Sequence, residues 1–200
     1  MNENIPKIYH QTWKTKEIPY NKFKKEWIES FEKYHKNWTY MFHTDEDNET
    51  LVNKYPEVLN IYKQLHGIEK IDFVRCLYMY EYGGMYGDLD IEWCKNIEEL
   101  LTQNKIYFYM NCILISPPKH LFWMDFLNSI PKHISKRILS KTGPHAILRC
   151  AKPRDDAIQL SYKNFGSIGW KSPNKTINIE KVKSSKTYAV HRYSNSWITK

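Results

Sequence analysis

The chain has 200 residues, a formal net charge of +8 and a sequence pI near 9.1, a balance that favours anionic partners such as nucleoside diphosphates, acidic membrane surfaces or nucleic acid. Its length predicts one domain over residues 1–200, which can bury a core without disulfides, and its four cysteines include no C-x-x-C pair that would indicate a zinc site. No apolar run is long enough to cross a bilayer and residues 1–4 are unlike a signal peptide, so we expect a cytoplasmic protein with at most peripheral membrane contact.

The first third of the chain alternates strand and helix patterns. Strand patterns cover residues 5–10 and 38–43, and helix patterns cover residues 20–35, 44–55 and 57–65. This alternation predicts an α/β fold with a mainly parallel central sheet flanked by helices. In such sheets ligands bind at the carboxyl ends of the strands, so we look for functional residues there.

Residues 68–82 form a second kind of helix, apolar on nearly every side and therefore buried. Asp72 and Arg75 lie in the middle of it, three residues apart and hence on one face. Buried charges need partners. The two side chains either pair with each other and stabilise the fold, or reach a polar ligand; residue types alone do not decide between these readings.

Gly83 and Gly84 end this helix, since glycine takes the left-handed conformation without a Cβ clash. A short strand at Met85-Tyr86 then leads into Asp88 and Asp90. If the chain stays extended, the two carboxylates point to the same side, and such a pair suits a hard divalent cation, Mn²⁺ or Mg²⁺.

A second acidic triplet, Asp45-Glu46-Asp47, has the same form but a different context. It follows Thr44, a good N-cap, and opens a helical run, where acidic residues are favourable for a local reason. The acidic pair alone is therefore a weak signal, and its surroundings at residues 68–90 give it weight.

The chain beyond Asp90 contains a long apolar run at residues 105–116, which predicts a strand interrupted only by Asn111. A buried Asn either satisfies backbone groups or serves a site. Residues 97–101 and 120–130 are helical in pattern. Residues 131–141 are strongly basic, which indicates either a solvated face or a helix that lies on an acidic membrane.

The last identifiable element is a strand at residues 187–190, followed by His191 and a Ser196-Trp197 pair. An imidazole at a strand end is a reasonable third ligand for Mn²⁺.

Together these patterns resemble glycosyltransferase family 32. The family pattern is Asp-x-x-Arg on a helix and then Tyr-Gly-Gly-x-Tyr-x-Asp-x-Asp, and the matching residues here are Asp72, Arg75, Tyr82, Gly83, Gly84, Tyr86, Asp88 and Asp90. Similar family segments correspond to residues 5–13, 107–118 and 187–197, and Thr142-Gly143-Pro144 also matches. Gly87 is a small departure, because a larger residue is expected there, and residues 145–185 find no counterpart.

The resemblance implies a GT-A fold and a set of donor-binding residues. Trp13 would stack on the base, although a tryptophan there is equally suited to the core. Asp72, Arg75, Tyr86 and Asp88 would bind the donor. The residues expected to take part in catalysis are Asp88, Asp90, Arg75 and Asn111. The expected metal ligands are Asp88, Asp90 and His191, and the side chains expected to close over the diphosphate are Ser196 and Trp197.

The implied reaction is retaining transfer of a hexose from a UDP- or GDP-linked sugar to a hydroxyl of a glycan, lipid or protein, with Mn²⁺ or Mg²⁺ as cofactor. Nucleic acid is not an expected partner. Two other classes of protein share part of this pattern. A metal-dependent phosphoesterase or nuclease would usually cluster more carboxylates or histidines in sequence. A sugar- or anion-binding module without catalysis would not need both aspartates intact.

Overall fold

A computed structural model describes residues 4–165 and 186–194. The secondary structure elements, in chain order, are β1 (Ile8–Thr12), α1 (Lys25–Tyr34), β2 (Thr39–His43), α2 (Asp45–Asn53), α3 (Pro56–Lys63), α4 (Ile68–Glu81), β3 (Gly84–Gly87), β4 (Ile91–Trp93), β5 (Ile106–Tyr109), β6 (Ile113–Ser116), α5 (Leu121–Ser129), α6 (Ile138–Lys141), α7 (Pro144–Ala151), β7 (Ala157–Gln159) and β8 (Ala189–His191). Short 3₁₀ turns occupy Glu98–Leu100 and Ile130–His133.

The central sheet has the strand order β2-β1-β3-β6-β5-β7. Strand β1 pairs in parallel with β2 and β3, and β5 pairs in parallel with β7, whereas β6 is antiparallel to both of its neighbours. Strands β4 and β8 form a separate antiparallel pair. The predicted mainly parallel sheet flanked by helices is confirmed, and the parallel strands β1 and β3 bring their carboxyl ends to one edge.

Helix α4 is the buried helix that its uniform apolarity predicts. Its side chains Phe73 and Leu77 belong to the apolar cluster on one side of the sheet, together with Phe122 and Phe126 of α5. The second cluster lies on the opposite side, around Tyr9, Phe31, Trp93 and neighbouring residues. None of the helices within residues 4–165 and 186–194 is both long and apolar enough to span a bilayer.

The Gly83-Gly84 pair is required by close packing as well as by conformation. Both glycines have positive φ, at 64° and 85°. A Cβ on Gly84 would lie 2.4 Å from the carbonyl oxygen of Ile8, and one on Gly83 would lie 2.6 Å from the nitrogen of Pro118. Because neither backbone atom can move freely, larger residues would displace β3 from β1 and shift the acidic turn that follows it.

The predicted single strand over residues 105–116 is wrong: the segment forms a hairpin of β5 and β6. Met110 takes a positive φ of 53°, and the chain reverses through Met110, Asn111 and Cys112. An apolar run of this length is compatible with one long strand or two short buried ones, and periodicity alone does not separate them. The polar Asn111 marks the turn.

A buried pair of histidines links β1, β2 and the end of α4. His10 donates from Nε2 to the Gly83 carbonyl at 2.9 Å, and its Nδ1 accepts from Nε2 of His43 at 3.0 Å. Burial lowers the pKa of His10 to about 3 and that of His43 to about 4, so both rings are neutral in the folded protein.

Acidification should therefore destabilise the fold. In the unfolded chain these histidines titrate near pH 6.5, so below that pH the unfolded state binds more protons than the folded state and stability falls. Between pH 7 and pH 5 each histidine should account for about 2 kcal/mol of lost unfolding free energy. Urea unfolding at the two pH values measures this, with His43→Gln expected to remove about one histidine's share of the pH dependence. An unchanged pH dependence in that variant would contradict the assignment.

Candidate active site

The two aspartates of the acidic motif lie in a turn at the end of β3. The backbone N–H of Ile91 donates to the Asp88 carbonyl at 3.0 Å, so Asp88, Leu89 and Asp90 are not extended as predicted. The reason is that β4 starts at Ile91 and pairs with β8 outside the central sheet, so the chain must turn between the two sheets. The turn nevertheless brings both carboxylates to the same place.

His191 completes a three-residue group with these aspartates. Pairing of β4 with β8 sets Ile91 opposite His191, and Nε2 of His191 lies 3.3 Å from Oδ1 of Asp90. One ligand atom from each of Asp88, Asp90 and His191 lies within 4.8 Å of the others. Two carboxylates and an imidazole are a donor set that Mn²⁺ accepts, and Mg²⁺ accepts the carboxylates.

The three side chains are electrostatically coupled, and a bound cation would displace the proton that Cys112 and Asp90 favour on His191. Burial raises the pKa of Asp88, and the neighbouring charge of Asp90 raises it further against the opposing effect of Arg75. For Asp90 burial acts in the same upward direction, but His191 and the backbone N–H of Ser194 hold its pKa below the ordinary value. Burial lowers the pKa of His191, whereas Cys112 and Asp90 raise it and prevail. A divalent cation at this point would stabilise both carboxylates in their ionised form.

Arg75 links the buried pair on α4 to the acidic turn. Its side chain is only 4% exposed, and its guanidinium nitrogens lie 3.3 Å from carboxylate oxygens of both Asp72 and Asp88. The guanidinium also lies over the ring of Tyr86, 4.9 Å from the centroid, and Tyr86 donates its hydroxyl to Asp88 at 2.7 Å. The contact of Arg75 with Asp72 confirms that the two residues pair with each other, and Arg75 also reaches the candidate metal ligand Asp88. A role for the pair in holding a polar ligand stays a prediction.

Asp72 is held by three donors within the protein. Besides Arg75, Nδ2 of Asn111 donates to Oδ1 at 2.9 Å and the hydroxyl of Thr142 donates to Oδ2 at 2.8 Å. Burial raises the pKa of Asp72 to about 6, opposed by Arg75 and Thr142, so this carboxylate is mostly ionised at pH 7. The carbonyl of Asn111 in turn accepts from Arg75 at 2.6 Å. Asn111 thus belongs to the same cluster, from the turn between β5 and β6.

Two residues of this region were not predicted as site residues. Gln11, at the end of β1, donates from Nε2 to the carbonyl of Asp88 at 3.2 Å and so fixes the acidic turn to the sheet. Thr142 is fully buried against Asp72. Both lie in segments whose likeness to the family was noted, at residues 5–13 and in the Thr-Gly-Pro triplet, but neither residue type suggested a role by itself.

Trp13 is the one other predicted site residue that the structure describes, and it is not brought into this cluster. Trp13 lies one residue beyond β1, partly exposed, and packs edge-on against Phe23 at 5.4 Å. It therefore lies at the same edge of the sheet, and its role in base stacking stays a prediction. Ser196 and Trp197 lie outside the described residues.

Comparison with known proteins agrees with this geometry. Residues 22–107 match the family model described as glycosyltransferase sugar-binding region containing DXD motif. This span contains the whole of α4, the Gly-Gly pair and both aspartates of the acidic turn.

Several curated fungal proteins are similar to the chain. Mannosyl phosphorylinositol ceramide synthase CSH1 of Saccharomyces cerevisiae is 31% identical over 70% of this chain and 40% of its own length. Mannosyl phosphorylinositol ceramide synthase SUR1 of the same yeast is 30% identical over 98% of this chain and 50% of its own length. Inositol phosphoceramide mannosyltransferase 3 of Schizosaccharomyces pombe is 39% identical over 48% of this chain and 27% of its own length. The chain thus spans half or less of the length of these relatives.

A solved structure, the PaToxG glycosyltransferase, shares the fold with a TM-score of 0.59 at 15% identity, covering 76% of this chain and 69% of that one. The resemblance that the sequence carries is therefore confirmed by a family model, by curated relatives and by a shared fold. Residues 22–107 of this chain therefore carry the glycosyltransferase sugar-binding region with the DXD motif.

Proposed function

We propose that the protein transfers a hexosyl group, with mannose as the favoured sugar, from a UDP- or GDP-linked donor to a hydroxyl acceptor in a metal-dependent reaction. The observation that carries this proposal is the convergence of Asp88, Asp90 and His191 within 4.8 Å, with Arg75 against Asp88, at the carboxyl end of β3. The carboxyl edge of parallel strands is where α/β folds bind their ligands.

The residues divide into two groups by what they can do for the donor. Asp88, Asp90 and His191 would hold Mn²⁺ or Mg²⁺, which supplies charge neutralisation for the departing nucleoside diphosphate. Arg75 supplies a fixed positive charge beside them, and its planar fork is suited to bridging oxygens. Asp72 and Asn111 would orient hydroxyl groups of the sugar, held in place by Thr142.

We further propose that the transfer retains the configuration at the anomeric carbon. The bond from that carbon to the diphosphate oxygen breaks as the acceptor oxygen attacks from the same face, and the acceptor proton passes to the leaving phosphate. This course needs no nucleophilic side chain. It agrees with the described cluster, in which each carboxylate already has a partner: the proposed cation, Arg75 or a hydrogen-bond donor.

The names of the relatives support the choice of sugar and suggest an acceptor. Three of them are named as synthases or transferases that join mannose to inositol-phosphate ceramides. By analogy we propose a polar hydroxyl acceptor carried by a lipid head group. A phosphoesterase is less well supported, because among the described residues only one group of three metal-ligating side chains occurs, and two-metal phosphoesterases need more ligands.

A screen of nucleotide sugars for hydrolysis tests the proposal, because a transferase without acceptor slowly passes the sugar to water. We expect one nucleotide-linked mannose to be cleaved in the presence of Mn²⁺ and not in the presence of a chelator, with the α-anomer as the first product by NMR. A simple phosphodiester that contains no sugar serves as the control substrate. Cleavage of that ester, with every nucleotide sugar left intact, would contradict the proposal and favour the phosphoesterase.

A further inference from the structure

The positive charge of the protein is concentrated in one stretch of chain. Between Asp125 and Asp155 the sequence contains no Asp or Glu but seven Lys and Arg residues, which nearly equals the net charge of +8 of the whole chain. Two of the seven are neutralised locally: Lys141 pairs with Glu69 at 2.8 Å, and Arg154 pairs with Asp125 and Asp156. The remaining five side chains are exposed, namely Lys132, Lys136, Arg137, Arg149 and Lys152.

Exposed apolar side chains lie among these cations. Ile134 is 37% exposed, Leu139 48% and Leu148 40%. Together with Lys132, Lys136, Arg137 and Arg149 they are called here the cationic–apolar patch. Apolar side chains that are exposed together and rimmed by polar residues are typical of sites that bind proteins or membranes.

Helix α6 contacts both α7 and the 3₁₀ turn that precedes it, so the segments that carry these residues pack on one another. Arg149 donates from Nη1 to the carbonyl of Ser140 at 3.1 Å, which joins the exposed side of α7 to the end of α6. Gly143 packs on the backbone of Leu139 between the two helices. The backbone N–H of Lys136 donates to the carbonyl of His133 at 2.9 Å, which closes the turn that carries Lys132 and Lys136. Burial and the charges of Arg149, Lys136 and Lys132 lower the pKa of His133. Leu139 and Leu148 belong to the two helices that these contacts join.

The patch is connected directly to the candidate active site. Lys141 ends α6 and pairs with Glu69 in the first turn of α4, and Thr142 follows it with a hydrogen bond to Asp72. The segment that carries the patch is therefore attached to α4 directly beside Thr142, which holds Asp72 in place.

We propose that the cationic–apolar patch docks on a lipid bilayer that contains anionic lipid. Lys and Arg near such a surface are attracted to its phosphate-bearing head groups, and exposed leucine and isoleucine can enter the boundary between head groups and acyl chains. Nucleic acid would attract the cations equally, but it offers no apolar phase for Ile134, Leu139 and Leu148. Binding to the bilayer is independent of the proposed function; only its purpose, the presentation of a lipid-borne acceptor to the site, rests on that function.

Co-sedimentation with vesicles tests the proposal. The chain should bind vesicles of phosphatidylcholine and phosphatidylserine and should bind pure phosphatidylcholine much less. The double variant Lys136→Glu/Arg137→Glu should bind the anionic vesicles roughly tenfold more weakly or worse, since two attractive charges become repulsive. A matched control is Lys33→Glu/Lys36→Glu, on the exposed side of α1 and just beyond it, which should bind as the wild type does.

A second pair of variants tests the apolar part. Leu139→Ser/Leu148→Ser should weaken vesicle binding severalfold with the charge of the protein unchanged, whereas Tyr162→Ser, which changes another exposed apolar residue, should not.

All patch variants should retain metal-dependent hydrolysis of soluble donor, which separates this proposal from the proposed function. Equal vesicle binding by the leucine variant and the wild type, or equal loss in the Lys33→Glu/Lys36→Glu control, would overturn the docking surface. Duplex DNA binding that depends on Lys136 while vesicle binding is absent would assign the patch to nucleic acid instead.

Discussion

Asp90→Asn is expected to lower kcat/KM for metal-dependent donor hydrolysis by roughly a thousandfold or more, equivalent to about 4 kcal/mol of transition-state stabilisation. Asp90 is 6% exposed, and it joins the two other candidate ligands through its 3.3 Å contact with His191. Asparagine keeps the shape and the hydrogen bond from the Ser194 N–H but removes the negative charge that a cation needs. The measurement is steady-state hydrolysis across a range of Mn²⁺ concentrations.

The second acidic triplet offers a matched control for this variant. Asp45 stands first in a triplet of the same form, but it is exposed in the first turn of α2, beside the capping box of Thr44 and Asp47. Asp45→Asn should therefore hydrolyse donor at the wild-type rate. A near-normal rate for Asp90→Asn, or an equal loss in both variants, would show that the acidic turn does not hold the catalytic cation.

Arg75→Lys is expected to reduce turnover about a hundredfold, because lysine keeps the charge but cannot contact Asp72, Asp88 and the Asn111 carbonyl at once. One buried carbonyl then loses its donor, so unfolding free energy should also fall, by about 1–3 kcal/mol. Activity is measured well below the melting temperature of the variant, so that loss of folded protein does not contribute.

Arg154→Lys is the matched control for the same chemical change. Arg154 is paired with Asp125 and Asp156 and lies apart from the Asp88–Asp90–His191 group. That variant should keep its turnover and lose little stability, because partly exposed ion pairs contribute little. If Arg75→Lys is destabilised but turns over like the wild type, the Asp72–Arg75 pair is structural only.

The parts of the fold that local chemistry determines were predicted well. The uniform apolarity of α4 indicated burial, and the Gly-Gly pair indicated where the helix stops. Thr44 indicated the start of α2, where both hydrogen bonds of a capping box are present. In each case neighbouring residues along the chain supply the interactions, so a single sequence contains the information.

The features that depend on distant residues were predicted less well. The acidic turn is not extended, because its geometry depends on β4 pairing with β8 about one hundred residues later, and sequence spacing does not reveal that pairing. The hairpin at residues 106–116 was hidden within an apolar run whose two strands are both fully buried. Thr142 became a candidate only when α6 placed its hydroxyl against Asp72, seventy residues earlier.

The central claim is that nucleotide-sugar binding depends on a cation held by Asp88, Asp90 and His191. Isothermal titration calorimetry of the nucleoside diphosphate, on wild type and on Asp90→Asn, tests it most directly because it does not require turnover. We expect the wild type to bind tightly with Mn²⁺ and at least tenfold more weakly with a chelator, and Asp90→Asn to bind weakly in both conditions. Equal affinity of the wild type with and without chelator would contradict the account.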